Sequence, residues 1–259
     1  MVQLSSAIIG SGILEIRERL KEISGGRILD IGTCEGGFIN TLMKTLKNYD
    51  SFVGIDISED NLDKAWKEFE GKPVEFIRMN AEELSFEDKT FDTVCISFTL
   101  HHLENINPVL KEARRVLKPN GLFIIQEMIS DGNQSEAQHT DILIHHWDAE
   151  VDAAMNIPHF ETFLGNRLKE MVRSMEFSRL EVFEASRPIK CLFCDKAAEC
   201  DDPRGSIPKG EAFSDIDKTL ERAKGLEDYE RHLAIAESLK RRVEAYGSSP
   251  ASYLFFIAG

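Results

Sequence analysis

The chain has 259 residues, of which 42% are hydrophobic and 29% are charged, and its formal net charge is -14. A chain of this length can bury a core unaided, whereas its negative charge would repel a polyphosphate backbone, which excludes nucleic acid as a partner. No apolar run approaches the roughly 20 residues that span a bilayer, and the N-terminus lacks the early basic region of a signal peptide. We therefore predict a cytoplasmic protein with no membrane partner.

The first half of the chain alternates between short apolar runs and amphipathic segments. Apolar residues at helical spacing over 12–23 predict a helix in an N-terminal region, residues 1–26. Apolar runs then predict strands at 27–31, 52–56, 74–79, 91–98 and 121–129. Helices are predicted to start at Gly36, Glu59 and Ile106, the third ending at the turn sequence KPNG, 118–121. This order predicts an α/β fold with a parallel, doubly wound core over 27–130.

The second half elaborates this core. Residues 131–176 are predicted to form lid helices, one over 135–155 and one over about 160–175. Runs at 177–186 and 252–259 predict two more strands, which would complete a Rossmann-like sheet of seven strands. Between them, residues 187–250 form an insertion with three cysteines and a charged helical stretch over about 214–246. We interpret 1–259 as a single domain whose insertion serves as a lid or as the arm of a homodimer.

The sequence ILDIGTCEGG, residues 28–37, reads as a buried strand that runs into a turn of small residues. Ligands of open α/β sheets bind at the carboxyl ends of the strands, where glycines permit close approach and free amides can face the ligand. The turn lacks the second glycine of G-x-G-x-x-G and the lysine of a phosphate-binding loop. Asp56 ends the next strand, twenty residues beyond Gly36, and is placed to bind ribose hydroxyls. The pattern therefore fits a nucleoside cofactor.

Five segments in this order resemble the class I S-adenosylmethionine-dependent methyltransferases, in particular those that act on small molecules. They are ILDIGTCEGG, the GID that ends at Asp56, NAEEL at 80–84, FDTVCISFTLHHL at 91–103 and EARRVLKPNGLFIIQE at 112–127. The resemblance covers about residues 27–130. It implies S-adenosyl-L-methionine as the cofactor and a small-molecule methyl acceptor as the partner. Methyl transfer to an O, N, S or C atom would then proceed by in-line displacement.

The resemblance also implies roles for individual residues. The residues beside the methionine end and the sulfonium would be Asp30, Gly32, Thr33, Ser97 and Phe98. The residues around the ribose and the adenine would be Asp56, Ile57, Asn80 and Ala81. The family often has aspartate where Asn80 stands, but the side-chain carbonyl oxygen of Asn80 can still accept a hydrogen bond from the adenine amine.

Cys34 and Gly36 complete the predicted cofactor-binding turn. The family usually has glycine where Cys34 stands. Because Cys34 carries a β-carbon, we expect its backbone to avoid the conformations that glycine alone adopts freely. A thiol at the start of a helix can be reactive, but such a cysteine more often serves as a small residue that fills space.

Two histidines, His101 and His102, follow the fourth predicted strand, beside the expected position of the transferred methyl group. Either imidazole could orient the acceptor or remove its proton, and we prefer His102 as the general base. In the wider family this turn often shapes the pocket without acting as a base. Both interpretations therefore stand at this point.

A second polar group lies on the helix predicted over 135–155 and comprises His145, His146, Trp147 and Asp152. Helical spacing could direct imidazole and carboxylate groups toward the pocket, which makes these residues candidates for substrate contact. The alternative is that Trp147 belongs to the core and that the histidines are partly exposed helix residues.

The insertion contains Cys191, Cys194 and Cys200 in a C-x2-C-x5-C pattern, which needs a fourth ligand to form a tetrahedral zinc site. Asp195 or a histidine of the lid helix could supply that ligand. The chain has five cysteines, an odd number, so reduced and unpaired thiols are the other interpretation.

Two further functions compete with methyl transfer. A nicotinamide-dependent oxidoreductase could use a similar sheet, but the missing second glycine and the NAEEL turn argue against it. A non-catalytic protein could bind S-adenosylmethionine or S-adenosylhomocysteine as a sensor. Asp56 and the LHHL turn favour an active enzyme.

Overall fold

A computed structural model describes residues 12–186 and 202–259. Its centre is a seven-stranded sheet with the strand order β3-β2-β1-β4-β5-β7-β6. The strands are β1 (Arg27–Ile31), β2 (Ser51–Asp56), β3 (Val74–Arg78), β4 (Phe91–Ser97), β5 (Leu117–Met128), β6 (Leu180–Ala185) and β7 (Tyr253–Ala258). Strands β1 to β5 pair in parallel, whereas β7 runs antiparallel between β5 and β6. The predicted doubly wound, Rossmann-like sheet of seven strands is confirmed.

Helices cover both faces of this sheet. They are α1 (Ile13–Leu20), α2 (Gly37–Thr45), α3 (Glu59–Glu68), α4 (Ile106–Val116) and α6 (Gly165–Arg173). Successive residues of a strand point to opposite faces, so Ile28 packs in the cluster that contains α1 to α3, and Leu29 packs with α4 and α6. The parallel pairing of β1, β2 and β4 brings their carboxyl ends to one edge of the sheet.

A separate helical layer consists of α5 (Glu136–Ala154), α7 (Ser206–Ala223) and α8 (Tyr229–Tyr246). Apolar residues of all three helices form one buried cluster, which includes Trp147. The Trp147 Nε1–H donates a hydrogen bond to Nδ1 of His232 in α8, at 3.0 Å. The charged stretch over 214–246 is therefore a pair of helices that packs on α5. Across 12–186 and 202–259, none of the helices is long and apolar enough to cross a membrane.

The second lid helix is shorter than its prediction, because α6 covers only Gly165–Arg173. The preceding segment is held in an extended path by contacts with the sheet. The Phe160 N–H donates to the His101 carbonyl oxygen at 2.7 Å, and Phe163 forms a bridge to Ile129 at the end of β5. These contacts, together with the bias of Pro158 against helix in the residue before it, keep residues 156–164 against the edge of the sheet.

The prediction that KPNG ends the third helix is also wrong in detail. Helix α4 ends at Val116, and residues 118–121 lie within β5, where the pairing with β4 changes register. Gly121 passes so close to β4 that an added Cβ would lie 2.8 Å from the Asp92 carbonyl oxygen. The turn-forming residues therefore produce an irregularity in the strand rather than a loop before it.

Candidate active site

The turn after β1 is tightly folded by its own backbone and by a neighbouring strand. The amides of Gly32 and Thr33 both donate to the Ile55 carbonyl oxygen at 2.9 Å, and the Gly36 amide donates to the Thr33 carbonyl oxygen at 2.8 Å. The Cys34 amide donates to Asp56 Oδ2 at 2.8 Å. The expectation that these amides are free for a ligand is wrong, since each is used within the protein.

A cleft of about 440 Å³ opens beside this turn. This volume lies within the range of small-molecule sites, roughly 300–1,000 Å³. Among the lining residues are six that the sequence assigned to the cofactor: Asp30, Gly32, Thr33, Cys34, Ser97 and Phe98. The other lining residues are Glu35, Gly37, Phe38, Thr41 and Gln126. The structure thus brings the predicted methionine-end residues of β1 and β4 together around one cavity.

Asp30 supplies the charge of this cleft. Its side chain is buried, and Oδ2 accepts a hydrogen bond from Thr33 Oγ1 at 2.8 Å. Oδ1 is also buried and has no hydrogen-bond partner among the residues that the structure describes. Burial raises the pKa of Asp30 to about 7, the hydrogen bond from Thr33 opposes this shift, and the charge of Asp56 adds to it. An unpaired carboxylate oxygen in a cleft is suited to accept from a cationic ligand.

Phe98 and Ser97 line the same cleft from the end of β4. Phe98 has a left-handed backbone with a φ of 48°, and its amide donates to the Gln126 carbonyl oxygen at 2.9 Å. The Gln126 side chain donates to Ser97 Oγ at 2.6 Å. A strained backbone of this kind persists only where its surroundings enforce it, and it commonly marks a functional site.

Cys34 also has a left-handed backbone, with a φ of 49°. The expectation that its β-carbon keeps it out of this region is therefore wrong, because the hydrogen bond from its amide to Asp56 fixes the turn. The residue is exposed, yet partial desolvation of the thiol, with a smaller contribution from the charge of Asp56, raises its pKa. A raised pKa disfavours the reactive thiolate.

We predict that Cys34→Gly stabilises the protein. Glycine adopts a left-handed backbone without the roughly 1–2 kcal/mol that other residues lose there, and its greater freedom in the unfolded chain offsets part of this gain. A net increase of about 0.5–1 kcal/mol in the free energy of unfolding is expected in urea denaturation. Cys34→Ala removes the thiol but keeps the β-carbon, so an equal gain in this variant would contradict the explanation.

Asp56 ends β2 and ties the turn to the following helix. Its Oδ2 accepts from the Cys34 amide at 2.8 Å, and its Oδ1 accepts from the Ser58 amide at 2.9 Å. A carboxylate oxygen can accept more than one hydrogen bond, so both oxygens keep capacity for ribose hydroxyls. The ribose-binding role of Asp56 stays a prediction.

The other residues assigned to the nucleoside lie outside the cleft. Ile57 is 69% exposed, and Asn80 is exposed with its Oδ1 accepting from the Glu82 amide at 3.0 Å. Ala81 packs partly buried beside the second core cluster. Gly36 is buried under Phe69, whose ring an added Cβ would meet at 2.6 Å. Gly36 is therefore needed for close packing against Phe69. The adenine contacts of Ile57, Asn80 and Ala81 stay predictions.

The two histidines after β4 occupy a short 3-10 turn, Leu100–His102. His101 is 3% exposed, and its Nδ1 lies 2.7 Å from Oε1 of Glu127 in β5. Glu127 is completely buried, and it also accepts from the Leu100 amide and the Met128 amide, each at 2.9 Å. This carboxylate fixes both the turn and the orientation of the His101 ring.

His102 lies on the exposed side of the turn. Its ring centroid is 4.2 Å from that of His101 and 4.2 Å from that of His159. Desolvation of the ring and the neighbouring histidines lower the pKa of His102 to about 3. The imidazole is therefore neutral at physiological pH, which leaves a ring nitrogen able to accept a hydrogen bond.

Helix α5 adds His145 to this group, and the segment after it adds His159. The two Nε2 atoms are 3.3 Å apart. His159 is buried, and its Nδ1 lies 2.8 Å from Asp152 Oδ2. Burial and the surrounding histidines lower the pKa of His145 to about 2. The predicted substrate residues His145 and Asp152 thus join His101 and His102 in one cluster.

The two other candidates on the lid helix lie elsewhere. His146 Nε2 accepts from the Thr162 amide at 3.2 Å and contacts Thr162 Oγ1 at 2.9 Å, which anchors the segment after α5. Trp147 is 4% exposed and bonded to His232 in the helical layer. The assignment of Trp147 to the substrate is corrected, since its side chain is used in packing α5 against α8.

A second cleft, of about 310 Å³, is lined by His145. Its lining comes from β5, α5 and α7 and is mostly charged. The lining residues are Met128, Asp141, Ile144, His145, Asp148, Asp215, Lys218, Thr219 and Arg222. His145 is therefore the member of the histidine cluster that borders this cleft.

Sequence reasoning missed three residues of the site: Glu127, His159 and Arg222. Glu127 had a usable signal, because a charged residue at the carboxyl end of an apolar strand is placed for function. His159 and Arg222 carried no such signal, since their positions depend on how residues 156–164 and α7 pack. The predicted metal ligands Cys191, Cys194 and Cys200 lie outside the described residues.

Residues 29–125 match the family described as a methyltransferase domain. The matched segment includes the turn after β1, Asp56 and the 3-10 turn with its two histidines. The resemblance to class I S-adenosylmethionine-dependent methyltransferases is confirmed, and this part of the chain is a methyltransferase domain.

Curated proteins similar to this chain are methyltransferases. The ubiquinone/menaquinone biosynthesis C-methyltransferase of Rickettsia prowazekii is 39% identical over 109 residues, which cover 39% of this chain and 43% of that protein. The demethylmenaquinone methyltransferase of Bacillus cereus is 37% identical over 106 residues, covering 40% and 45%. The sterol 4-C-methyltransferase of Caenorhabditis elegans is 27% identical over 156 residues, covering 54% and 46%. The chain thus spans less than half the length of these relatives.

Solved structures show the same fold. Phosphoethanolamine N-methyltransferase 2 of Haemonchus contortus, in complex with S-adenosyl-L-methionine, aligns with a TM-score of 0.55 at 20% identity, covering 95% of this chain and 51% of that one. The YcgJ protein of Bacillus subtilis aligns with a TM-score of 0.53 at 16% identity, covering 95% of both chains.

Proposed function

We propose that the protein transfers a methyl group from S-adenosyl-L-methionine to a small-molecule acceptor. The observation that carries the proposal is the cleft at the carboxyl ends of β1 and β4, into which Asp30 brings a buried carboxylate oxygen that has no hydrogen-bond partner among the described residues. A cofactor with an ammonium group and a sulfonium would supply the positive charge that this oxygen lacks. The confirmed methyltransferase domain supports the same ligand.

The residues of the site would promote methyl transfer mainly by positioning the acceptor relative to the cofactor. In-line displacement requires alignment of the acceptor atom with the methyl group and its sulfur. His102 is the group placed to contact the acceptor, because it is the exposed member of the turn that follows Phe98. Its low pKa makes it a weak base, so we assign it a hydrogen bond that orients the acceptor, with proton removal as a secondary role.

We propose a polar acceptor that extends from the histidine cluster into the second cleft, which His145 lines. Curated relatives act on quinones or a sterol, as their names state. The second cleft of this chain is instead lined by acidic and basic side chains, including Asp141, Lys218 and Arg222. An apolar ring system or tail would desolvate these charges without replacing their partners, so a molecule with its own polar groups fits better.

The test uses the purified chain and each cofactor in turn. S-adenosylmethionine and S-adenosylhomocysteine should raise Tm, whereas NADH should not, and the reverse result would establish the oxidoreductase alternative. Next, a methyl-labelled cofactor is incubated with the enzyme and with aqueous and lipid fractions of a cell extract. Label should enter a small molecule of the aqueous fraction. Cofactor binding with no turnover in either fraction would support the non-catalytic alternative.

Asp30 gives a pH-dependent prediction for cofactor binding. Because its pKa is raised, Asp30 of the cofactor-free folded chain keeps a proton between about pH 4 and pH 7, whereas the unfolded chain releases it. The contribution of Asp30 to the free energy of unfolding therefore falls as pH rises through this range. A cationic ligand binds the ionised carboxylate better. The Kd for S-adenosylmethionine should therefore fall as pH rises from 5.5 to 7, by up to about tenfold per pH unit.

Calorimetric titration of the native chain and of Asp30→Asn measures this dependence. Asparagine keeps the size of the side chain but cannot ionise. The Kd of the Asp30→Asn variant should therefore be larger and nearly constant over the same range. An equal slope in both proteins would assign the dependence to another group and remove Asp30 from the cofactor site.

The remaining sequence predictions belong to the same proposal. We expect a cytoplasmic protein that does not bind nucleic acid, and a homodimer that forms through the exposed faces of α7 and α8. Light scattering after size exclusion tests the dimer, and a mass of one chain across the working concentration range would exclude it.

A further inference from the structure

The histidine cluster at the sheet edge has the composition of a metal site. One ring nitrogen of each of His101, His145 and His159 lies within 4.8 Å of the others. The Nε2 atoms of His145 and His159 are 3.3 Å apart. Two nitrogens that bind one zinc ion at about 2.0–2.1 Å with tetrahedral angles are separated by about 3.3–3.4 Å. The spacing of this pair therefore already matches that of two ligands of one ion.

Buried carboxylates fix the rings in the form that binds a metal. Glu127 lies 2.7 Å from His101 Nδ1, and Asp152 lies 2.8 Å from His159 Nδ1. A carboxylate accepts a hydrogen bond, so each neutral ring carries its proton on Nδ1 and presents the lone pair of Nε2. Metal-binding histidines almost always have such a partner on the other nitrogen. His101 and His159 thus have the carboxylate partner on Nδ1 that is typical of metal-binding histidines.

A competing set of ligands in the same region is already neutralised. Asp148 and Asp152 could bind an ion together with His159. However, the Arg222 guanidinium of α7 forms ion pairs with both carboxylates. A cation there would have to displace Arg222, whereas the three-histidine set has no positive side chain paired with it among the described residues. The histidines are therefore the better site.

We propose that His101, His145 and His159 bind one divalent transition-metal ion, with Glu127 and Asp152 as the groups that orient His101 and His159. Imidazole ligands suit zinc, iron, nickel and copper, and zinc is the ion we name for the test. Sites with three protein ligands keep a fourth position for water or substrate. The charged second cleft, which His145 lines, gives the ion and that fourth ligand a route from solvent.

The use of this ion in methyl transfer rests on the proposed function, but its binding does not. The 3-10 turn that carries His101 begins two residues after Phe98 of the cofactor cleft. An acceptor oxygen, nitrogen or sulfur atom on the fourth position would sit between the two clefts. A metal ion lowers the pKa of such a group and holds it in place, so the ion would select acceptors that can ligate it.

The test measures metal content directly. The full chain is produced without a histidine tag, treated with a chelator, loaded with zinc or cobalt, and desalted. Mass spectrometry of the metal should give about one ion per chain. The cobalt form should show the visible absorption of a tetrahedral site without the ultraviolet band of a thiolate ligand. No ion retained after desalting would overturn the proposal.

Variants separate this site from the cysteines of the insertion. His159→Ala and His145→Ala should lose the ion, Asp152→Asn should weaken binding by about 10–100-fold, and His139→Ala on the same helix should keep it. A variant with Cys191, Cys194 and Cys200 all changed to Ser should also keep the ion. Loss in that variant, together with retention in His159→Ala, would place the metal on the cysteines instead.

Calorimetric binding of S-adenosylmethionine provides the remaining control. Normal cofactor binding by His159→Ala would show that the variant is folded. Its loss of metal would then result from removal of a ligand and not from unfolding. A chain that binds metal but no S-adenosylmethionine would refute the proposed function and leave the metal site standing. The opposite result would refute the metal site alone.

Discussion

Gly32→Ala is expected to abolish binding of S-adenosylmethionine and to lower the free energy of unfolding by about 2–5 kcal/mol. Gly32 has a φ of 71°, and an added Cβ would lie 2.3 Å from Cγ2 of Thr99. The left-handed backbone costs an alanine roughly 1–2 kcal/mol, and the overlap with a packed side chain adds about 1–3 kcal/mol. Any relaxation would shift Thr99 or the turn, and with it the wall of the cofactor cleft.

Urea denaturation and calorimetric titration measure the two effects. Gly210→Ala is the matched control for stability, because Gly210 is exposed in α7 and an added Cβ would meet no atom within 4 Å. Alanine is favoured over glycine inside a helix, so this variant should gain about 0.5–1 kcal/mol. If Gly32→Ala bound the cofactor with unchanged Kd, the turn after β1 would not be the cofactor site.

Glu127→Ala is expected to lower the free energy of unfolding by about 3–5 kcal/mol. The side chain is completely buried in β5 and accepts hydrogen bonds from the Leu100 amide, the Met128 amide and His101 Nδ1. Its removal leaves three donors without an acceptor, two of them in buried hydrogen bonds, and each unsatisfied buried donor costs about 1–3 kcal/mol before relaxation. The turn that carries His101 should then lose its fixed orientation.

Two variants calibrate this result. Glu127→Gln keeps an acceptor oxygen and the shape of the side chain, so it should lose less stability than Glu127→Ala. Glu75→Ala removes an exposed glutamate from strand β3 and should change stability by less than about 0.5 kcal/mol. A loss for Glu127→Ala no larger than that for Glu75→Ala would show that the buried network does not support the fold.

The regular core followed from sequence because local pattern and tertiary environment agree there. Strand β1 was predicted at 27–31 and covers Arg27–Ile31, and helices were predicted to start at Glu59 and Ile106, where α3 and α4 begin. The central strands β2 and β4 are mostly apolar runs because both faces of the sheet are covered there. The residues that line the first cleft were predictable for the same reason, since the parallel strands β1 and β4 end at the same edge of the sheet.

The irregular part of the site could not be derived in this way. His159 lies between the two predicted lid helices, and its position depends on the hydrogen bond from the Phe160 amide to the His101 carbonyl oxygen. The left-handed backbone of Cys34 depends on Asp56, 22 positions along the chain. Such conformations are imposed by contacts between distant residues, and local propensity carries no information about them.

The pair α7 and α8 has a consequence for attempts to shorten the chain. Trp147 is buried against these helices, and Arg222 of α7 neutralises Asp148 and Asp152 beside His159. A chain in which a short turn joined β6 directly to β7 would expose an indole and leave two neighbouring carboxylates without their cation. Asp152 would then attract the proton of His159 more strongly, and the chemistry of the histidine cluster would change. Helices α7 and α8 thus contribute to the electrostatic environment of the histidine cluster as well as to packing.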